Sequence, residues 1–281
     1  MNVDLVINCY EKTYLEIMLP SYWECIVSQN KFNFSKKILL INNVKDLGDA
    51  VKMADKLIES GSISKYYIVA DYLPIALKIT NLTLEDLGPN RYFSDCALVA
   101  ATIPENEWFV YWDAEVRLST SVDWITPCVE YMKLHHDILV ANPMWSEGMY
   151  GLNRETMYWD GAYSISYAFS DQLFLTKRSY LAQDIYKHST IASLRYPMAH
   201  IHPVFEQNID AYMRTHGLKR LNYSKAQYIH LPGNAGESHL KATPEQMQSR
   251  EIQSRLMELA SNLPPSSPYY NHPAWQVNPR R

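Results

Sequence analysis

Apolar residues in this chain gather into short blocks at two rhythms, and the alternation of those rhythms predicts its architecture. "VDLVINCY" (3–10), "KKILLINNV" (36–44), "KYYIVAD" (65–71) and "WFVYWDAEV" (108–116) are brief runs rich in β-branched and aromatic residues, as strands require. Between them the spacing becomes helical. In 14–29, Leu15, Met18, Leu19 and Tyr22 fall three or four apart despite Pro20. In 46–61, Leu47, Val51, Ala54 and Ile58 share a face, and Gly61 supplies a stop. Residues 93–105 form an apolar helix that ends near Pro104. Strands separated by helices predict a mainly parallel sheet covered on both faces. The unbroken apolar run from Trp108 to Trp112 fits a strand buried on both sides.

After residue 120 the pattern loosens. Residues 123–136 read as a helix, 137–145 as a strand, 167–181 as a strand, 205–217 as a helix stopped by Gly217, and 226–233 as a short late strand. A glycine- and aromatic-rich loop fills 145–164, with Gly148 and Gly151 as hinges and Trp145 and Trp159 available to stack on a ligand ring; a packed aromatic cluster is the competing reading. Helix 242–261 opens on a capping box of Thr243 and Gln246, with Pro244 at its first position. The last stretch holds five prolines and no periodicity. The predicted organisation is one α/β domain over 1–240, then a C-terminal helix and Pro-rich tail over 241–281 that packs on the domain or extends from it.

In sheets of this kind ligands bind outside the carboxyl ends of the strands. The polar residues that follow the apolar runs are therefore the candidates for chemistry: Cys9, Tyr10 and Glu11; Asn42 and Asn43; Asp71; and Asp113, Ala114 and Glu115. Asp113 and Glu115 are two apart, so on a strand end both face the same way and can converge on one cation. Thirty acids in 281 residues would give about three acid-x-acid pairs by chance, so spacing alone decides little. The other such pair, Glu105 and Glu107, lies in a polar turn; this one ends a buried strand. Hard carboxylate oxygens select Mg²⁺ or Mn²⁺, ions that complete their shells with water and substrate phosphates.

Composition narrows the partners. With 26 basic and 30 acidic side chains, a net charge of -4 and no basic tract, duplex nucleic acid is not expected as a partner. No apolar run approaches the ~18 residues of a membrane span. The start "MNVDLVINCY" lacks the charge and apolar run of a signal peptide. Cys9, Cys25, Cys96 and Cys128 have no metal-site spacing and are expected as reduced, packed thiols in a cytoplasmic protein.

The stretch "RYFSDCALVAATIPENEWFVYWDAEV" resembles the core of GT-A-fold glycosyltransferases, in which a helix leads into an apolar strand ending in an Asp-x-Asp-like motif. Here the second acid is Glu115. "LVINCYEKT" is similar to that family's first strand and nucleotide loop, and "ILLINNV" to its second strand. "PVFEQNIDAYMRTHG" resembles the helix whose first turn carries the acceptor-activating acid, and "YIHLPG" the late strand offering a metal-binding histidine. The resemblance spans about residues 3–240 in order and pattern. It implies a metal-dependent transfer of sugar from a UDP- or GDP-linked donor to a glycan or other hydroxyl acceptor, with inversion.

The implied metal ligands are Asp113, Glu115 and His230; His239 is the alternative histidine, and a strand-end histidine bonded to backbone is the plain reading of His230. The implied base is Glu206, with Asp210 and Asp171 behind it, although a helix N-terminus favours an acid in any case. The donor's contacts are expected from Cys9, Tyr10, Glu11, Asn43, Asp71, Arg91, Asp113 and Ala114. Tyr10 would stack on the base, Asp71 accept from base or ribose, and Arg91 reach a phosphate. Two other classes remain open at this point. A sugar-nucleotide nucleotidyltransferase usually has a glycine-rich basic loop after its first strand, and "NCYEKT" has no glycine. A non-catalytic glycan- or nucleotide-binding protein would show no metal-dependent turnover.

Overall fold

The computed structural model describes residues 1–145, 155–196, 199–231 and 243–270. Among the described residues ten strands form one sheet: β1 (Val3–Cys9), β2 (Lys36–Ile41), β3 (Lys65–Ile68), β4 (Trp108–Trp112), β5 (Val116–Leu118), β6 (Ile138–Trp145), β7 (Tyr158–Asp160), β8 (Tyr163–Ser166), β9 (Leu173–Lys177) and β10 (Lys219–His230). They run in the order β3-β2-β1-β4-β9-β6-β10-β8-β7, with β5 paired separately to β10. From β3 to β4 every pairing is parallel, as the strand–helix alternation predicts. Beyond β4 the sheet is mixed: β9 lies antiparallel between β4 and β6, while β6 and β10 are parallel.

Alternation along the strands sends side chains into two cores. Val3, Leu5, Ile7 and Cys9 of β1 join Trp108, Val110 and Trp112 of β4 on one face. Val6, Phe109 and Tyr111 join the other. The helices Pro20–Asn30, Leu47–Glu59 and Ile125–Leu134 cover the first face. The helices Val69–Thr80, Asp95–Thr102 and Phe205–His216 cover the second. Full burial of one such aliphatic or aromatic side chain contributes about 1.5–3 kcal/mol, so this double cover is what holds the strand ends in place.

Several elements depart from the sequence reading, each for a local reason. The helix expected over 14–29 breaks into Tyr14–Ile17 and Pro20–Asn30. Pro20 drives Leu19 extended (φ -87°, ψ 131°) and then starts the second helix from its first position. In Leu47–Glu59 the buried stripe is Ala50, Ala54 and Leu57, while Leu47 and Ile58 are exposed, because the alanines let the helix lie close to the sheet. The third strand stops at Ile68 rather than Asp71; Val69, Leu73, Ala76 and Leu77 instead form a buried helical stripe. Strand 167–181 shrinks to β9 and a helical turn, Arg178–Leu181, and the late strand begins seven residues early, at Lys219. Of the four free cysteines three are buried and Cys25 is exposed, against the expectation that all four pack.

Candidate active site

Three strand pairings gather the acids at one edge of the sheet. β4 and β9 are antiparallel with Trp112 opposite Leu173, so the residues after Trp112 lie beside those before Leu173. The Asp113 amide duly donates to Gln172 O at 2.8 Å, one residue from Asp171. β5 and β10 pair Val116 with His230, and Leu231 donates its amide to Glu115 O at 2.8 Å. His230 Nε2 then stands 3.4 Å from Glu115 Oε2. One ligand atom each from Asp113, Glu115 and His230 falls within 4.8 Å of the others.

From β1, in parallel register with β4, comes Asn8. Its Nδ2 donates to Asp113 Oδ2 at 3.3 Å and its Oδ1 accepts the Ala114 amide at 2.9 Å. The Glu115 amide closes the turn onto Asp113 Oδ1 at 2.9 Å, and the Tyr10 hydroxyl donates to Glu115 Oε1. Two carboxylates and one imidazole suit Mn²⁺ or Mg²⁺ better than a soft-ligand metal, and three protein ligands leave positions for phosphate and water. Burial raises the Asp113 carboxyl, with the Glu115 charge adding.

A second carboxyl pair adjoins the first. Glu206 occupies the first turn of Phe205–His216, and its Oε1 accepts the Asp171 amide at 3.0 Å. Burial and then the Glu206 charge push Asp171 well above the usual carboxylate range, with Asp113 contributing. Burial raises Glu206 too, opposed by its hydrogen bonds from Asp171. Two acids this close hold a proton between them at a pH where either alone would be ionised. The chain leading to Asp171 is bent: Ala168 has φ 140°, a conformation L residues rarely adopt. One hydroxyl, that of Tyr196, donates to Phe169 O at 2.8 Å and accepts the Phe169 amide at 2.9 Å.

Beyond the ends of β2 and β3 lies a cavity of about 430 Å³. Ile41, Ile68, Leu73 and Leu77 form apolar wall, and Asn42, Asn43, Arg91 and Asp95 supply polarity. The β1–β2 pairing ties its wall to the end of β1, where the Asn42 amide donates to Cys9 O at 2.9 Å. Burial pushes the Asp95 carboxyl up to about 6, with Arg91 opposing.

Of the residues singled out from the sequence, Asp113, Ala114, Glu115, His230, Tyr10, Asp171 and Glu206 converge. Asn43 and Arg91 line the cavity. Cys9 is buried at the end of β1, its thiol pushed up by burial to about 12. Glu11 ties its loop to the next one, accepting the Lys45 amide at 2.8 Å. Asp71 does not join them: it sits exposed in the first turn of Val69–Thr80, because the third strand ends early. Nor does Asp210, which is fully buried with both oxygens accepting from Arg214 Nε at 2.9 Å. Arg214 Nη1 also donates to Pro268 O and Tyr270 O, at 2.9 and 3.0 Å, fastening the C-terminal segment to this helix. Trp145 is half-buried and Trp159 exposed, while Gly148, Gly151, His239 and the tail beyond 270 lie outside the described residues. The sequence reading missed Asn8, whose interruption of an apolar strand was the available signal, and Asp95, an acid at the head of an apolar helix.

No protein-family model matches the chain, and no curated protein matches it. Among solved structures it is similar in fold to GalNAc-T7, crystallised with UDP, GalNAc and Mn²⁺, at a TM-score of 0.51 and 12% identity over 98% of this chain. It covers 54% of that protein, so the chain spans about half its length. It is also matched to glucosyl-3-phosphoglycerate synthase from Mycobacterium tuberculosis, in complex with Mn²⁺, UDP and glucosyl-3-phosphoglycerate (TM-score 0.42, 11% identity, 92% of this chain and 79% of that one). A third match is the galactosyltransferase LgtC in complex with donor and acceptor sugar analogs (0.45, 13%, 90% and 95%). At such identities the likeness speaks to fold alone, and only the first match has the score to carry it. The fold is of the GT-A type.

Proposed function

We propose that this chain is a metal-dependent glycosyltransferase, moving a sugar from a nucleoside-diphosphate donor to a hydroxyl of a glycan or other acceptor. One observation carries the reading: one ligand atom each from Asp113, Glu115 and His230 converges within 4.8 Å at the end of β4. A divalent cation, Mn²⁺ or Mg²⁺, when held by those three residues, supplies positive charge against the departing diphosphate. Asn8, donating to Asp113 Oδ2, restrains that carboxylate. The cavity takes the nucleoside, with Arg91 near the phosphates. Glu206 removes the acceptor's proton as the hydroxyl attacks, its carboxylate held by the Asp171 amide. A single displacement of this kind inverts the anomeric centre. No helix among the described residues is long and apolar enough to cross a membrane, and we read the enzyme as acting in the cytoplasm.

Calorimetry with nucleoside diphosphates tests the reading. Mn²⁺ should tighten nucleotide binding by the wild type and leave Asp113→Ala unaffected, while the variant stays folded. Equal binding by both proteins, with and without Mn²⁺, would sink the assignment.

A further inference from the structure

Asp171 and Gln172 join the two carboxyl pairs of the proposed site. The Asp113 amide donates to Gln172 O at 2.8 Å, and the Asp171 amide donates to Glu206 Oε1 at 3.0 Å. One dipeptide therefore bonds the strand end that carries the metal ligands and, beside it, the base. What holds that dipeptide lies just upstream. Ala168 has φ 140°, a conformation that persists only where the surroundings over-determine it. Phe169, next along, is 2% exposed and belongs to no strand, so its main-chain groups have no ladder to bond to. Both find the Tyr196 hydroxyl, which accepts the Phe169 amide at 2.9 Å and donates to Phe169 O at 2.8 Å. A hydroxyl can do this because it is donor and acceptor at one atom.

Tyr196 is itself anchored. It is buried and follows the short 3₁₀ helix Ala192–Arg195, which packs on the Phe205–His216 helix that bears Glu206. The Arg195 guanidinium carbon lies 5.3 Å from the centre of its ring, and Arg195 is in turn ion-paired with Glu155. The hydroxyl thus reaches from the helix side of the site to the bend two residues before Asp171. Downstream, the Tyr228 hydroxyl donates to Gln172 Oε1 at 3.1 Å and steadies the other end of the segment.

We infer that Tyr196 is a positioning residue for glycosyl transfer, its hydroxyl pinning the bend at Phe169 so that the Asp171 amide aims the Glu206 carboxylate. The inference rests on the glycosyltransferase reading and deepens it, giving the base a support that acts through another residue.

Amide NMR on the ligand-free protein tests it. Glu206→Gln alters the acceptor of the Asp171 amide, so in an otherwise wild-type chain that proton's resonance should move. Tyr196→Phe keeps the ring and loses the hydroxyl; in its background the same replacement should leave the resonance in place. The Asp171 amide of Tyr196→Phe should also exchange with solvent about tenfold faster, a typical effect of one hydrogen bond, while the Val110 amide in β4 exchanges as before. A tyrosine that only fills the core would leave the response to Glu206→Gln equal in both backgrounds, and that result overturns the inference. Calorimetry with UDP and GDP in Mn²⁺ should give Tyr196→Phe the affinity of the wild type; weakened binding would assign the hydroxyl to the metal ligands instead and overturn it too. Should Tyr196→Phe not fold, the wild type alone decides. Its Phe169 and Asp171 amides should exchange at rates within about tenfold of each other, because one opening frees both, and a far faster Asp171 overturns the inference. Wild-type protein that binds neither nucleotide sinks the glycosyltransferase reading, whatever the amides show.

Discussion

Two groups of buried or half-buried acids lie on the C-terminal half of the sheet, and they are arranged in opposite ways. Glu155 is ion-paired with Arg195 and stands 3.4 Å from Arg220, which also reaches Ser166 Oγ at 3.3 Å. Asp210 is gripped by Arg214. In this group each acid has its own guanidinium. Asp113, Glu115, Asp171 and Glu206 have none: among the described residues none forms an ion pair with lysine or arginine, and only His230 stands by Glu115. Glu155, Asp210 and Glu115 are buried while Asp113, Asp171 and Glu206 are half-buried, but charge balance separates the groups more sharply than burial does. Matched acids hold segments of the fold together, whereas the four acids without a lysine or arginine partner are those whose charge a shared proton, His230 or the proposed cation would balance.

Mutations can break that contrast. The largest effect on stability is expected at Glu155→Ala, which leaves two buried guanidiniums facing an empty position and should remove about 3–5 kcal/mol of unfolding free energy. Asp113→Ala, at an acid with no such partner, should change stability by less than about 1 kcal/mol. Urea denaturation of both variants tests the pair, and equal losses would erase the distinction drawn between the two groups.

Next comes Glu206→Gln, which preserves shape and hydrogen-bond acceptance but not basicity. Turnover should fall about 10²–10⁴-fold with donor affinity retained. Near-normal turnover would pass the role to Asp171, the acid beside it, and a product retaining the donor's configuration would remove the need for a single-displacement base.

A smaller effect belongs to Asp95. Its carboxyl titrates near 6 in the fold against 3.8 in the open chain. The native state therefore holds the proton longer, and stability falls as pH rises from about 4 to about 6. Asp95→Asn removes that penalty, stabilising the protein on the order of 3 kcal/mol at pH 7.5 and hardly at all below pH 4. Melting curves at the two pH values would show it; a variant destabilised at both would mean the carboxylate is satisfied in the fold.

Much of this was legible beforehand where local pattern and tertiary context agree. The β4 run "WFVYW" had to be buried on both faces, and its two succeeding acids had to share a side, so the heart of the site followed from residues 108–115 alone. His230 and Asp171 were nameable but not joinable, since their proximity arises from antiparallel pairings between segments far apart in sequence. Asp71 failed because Val69 and Ala70 extend an apolar string that serves strand and helix equally. Asp210 failed because helical spacing shows which residues share a face, not that Arg214 one turn on will claim the acid. Asp95 was hidden by its setting, an acid at the head of an apolar helix, where the helix dipole is explanation enough.

The grip of Arg214 on the carbonyls of Pro268 and Tyr270 also imposes an order of events during synthesis. Those carbonyls lie 54 and 56 residues downstream of the arginine. At roughly 5–20 residues per second, the helix bearing Glu206 waits several seconds after leaving the ribosome before its arginine is satisfied. Over that interval the sheet can already assemble, since β1, β4, β5, β9 and β10 have all emerged by residue 230. The last contacts of the Phe205–His216 helix are thus made only once every strand of the sheet has been synthesised.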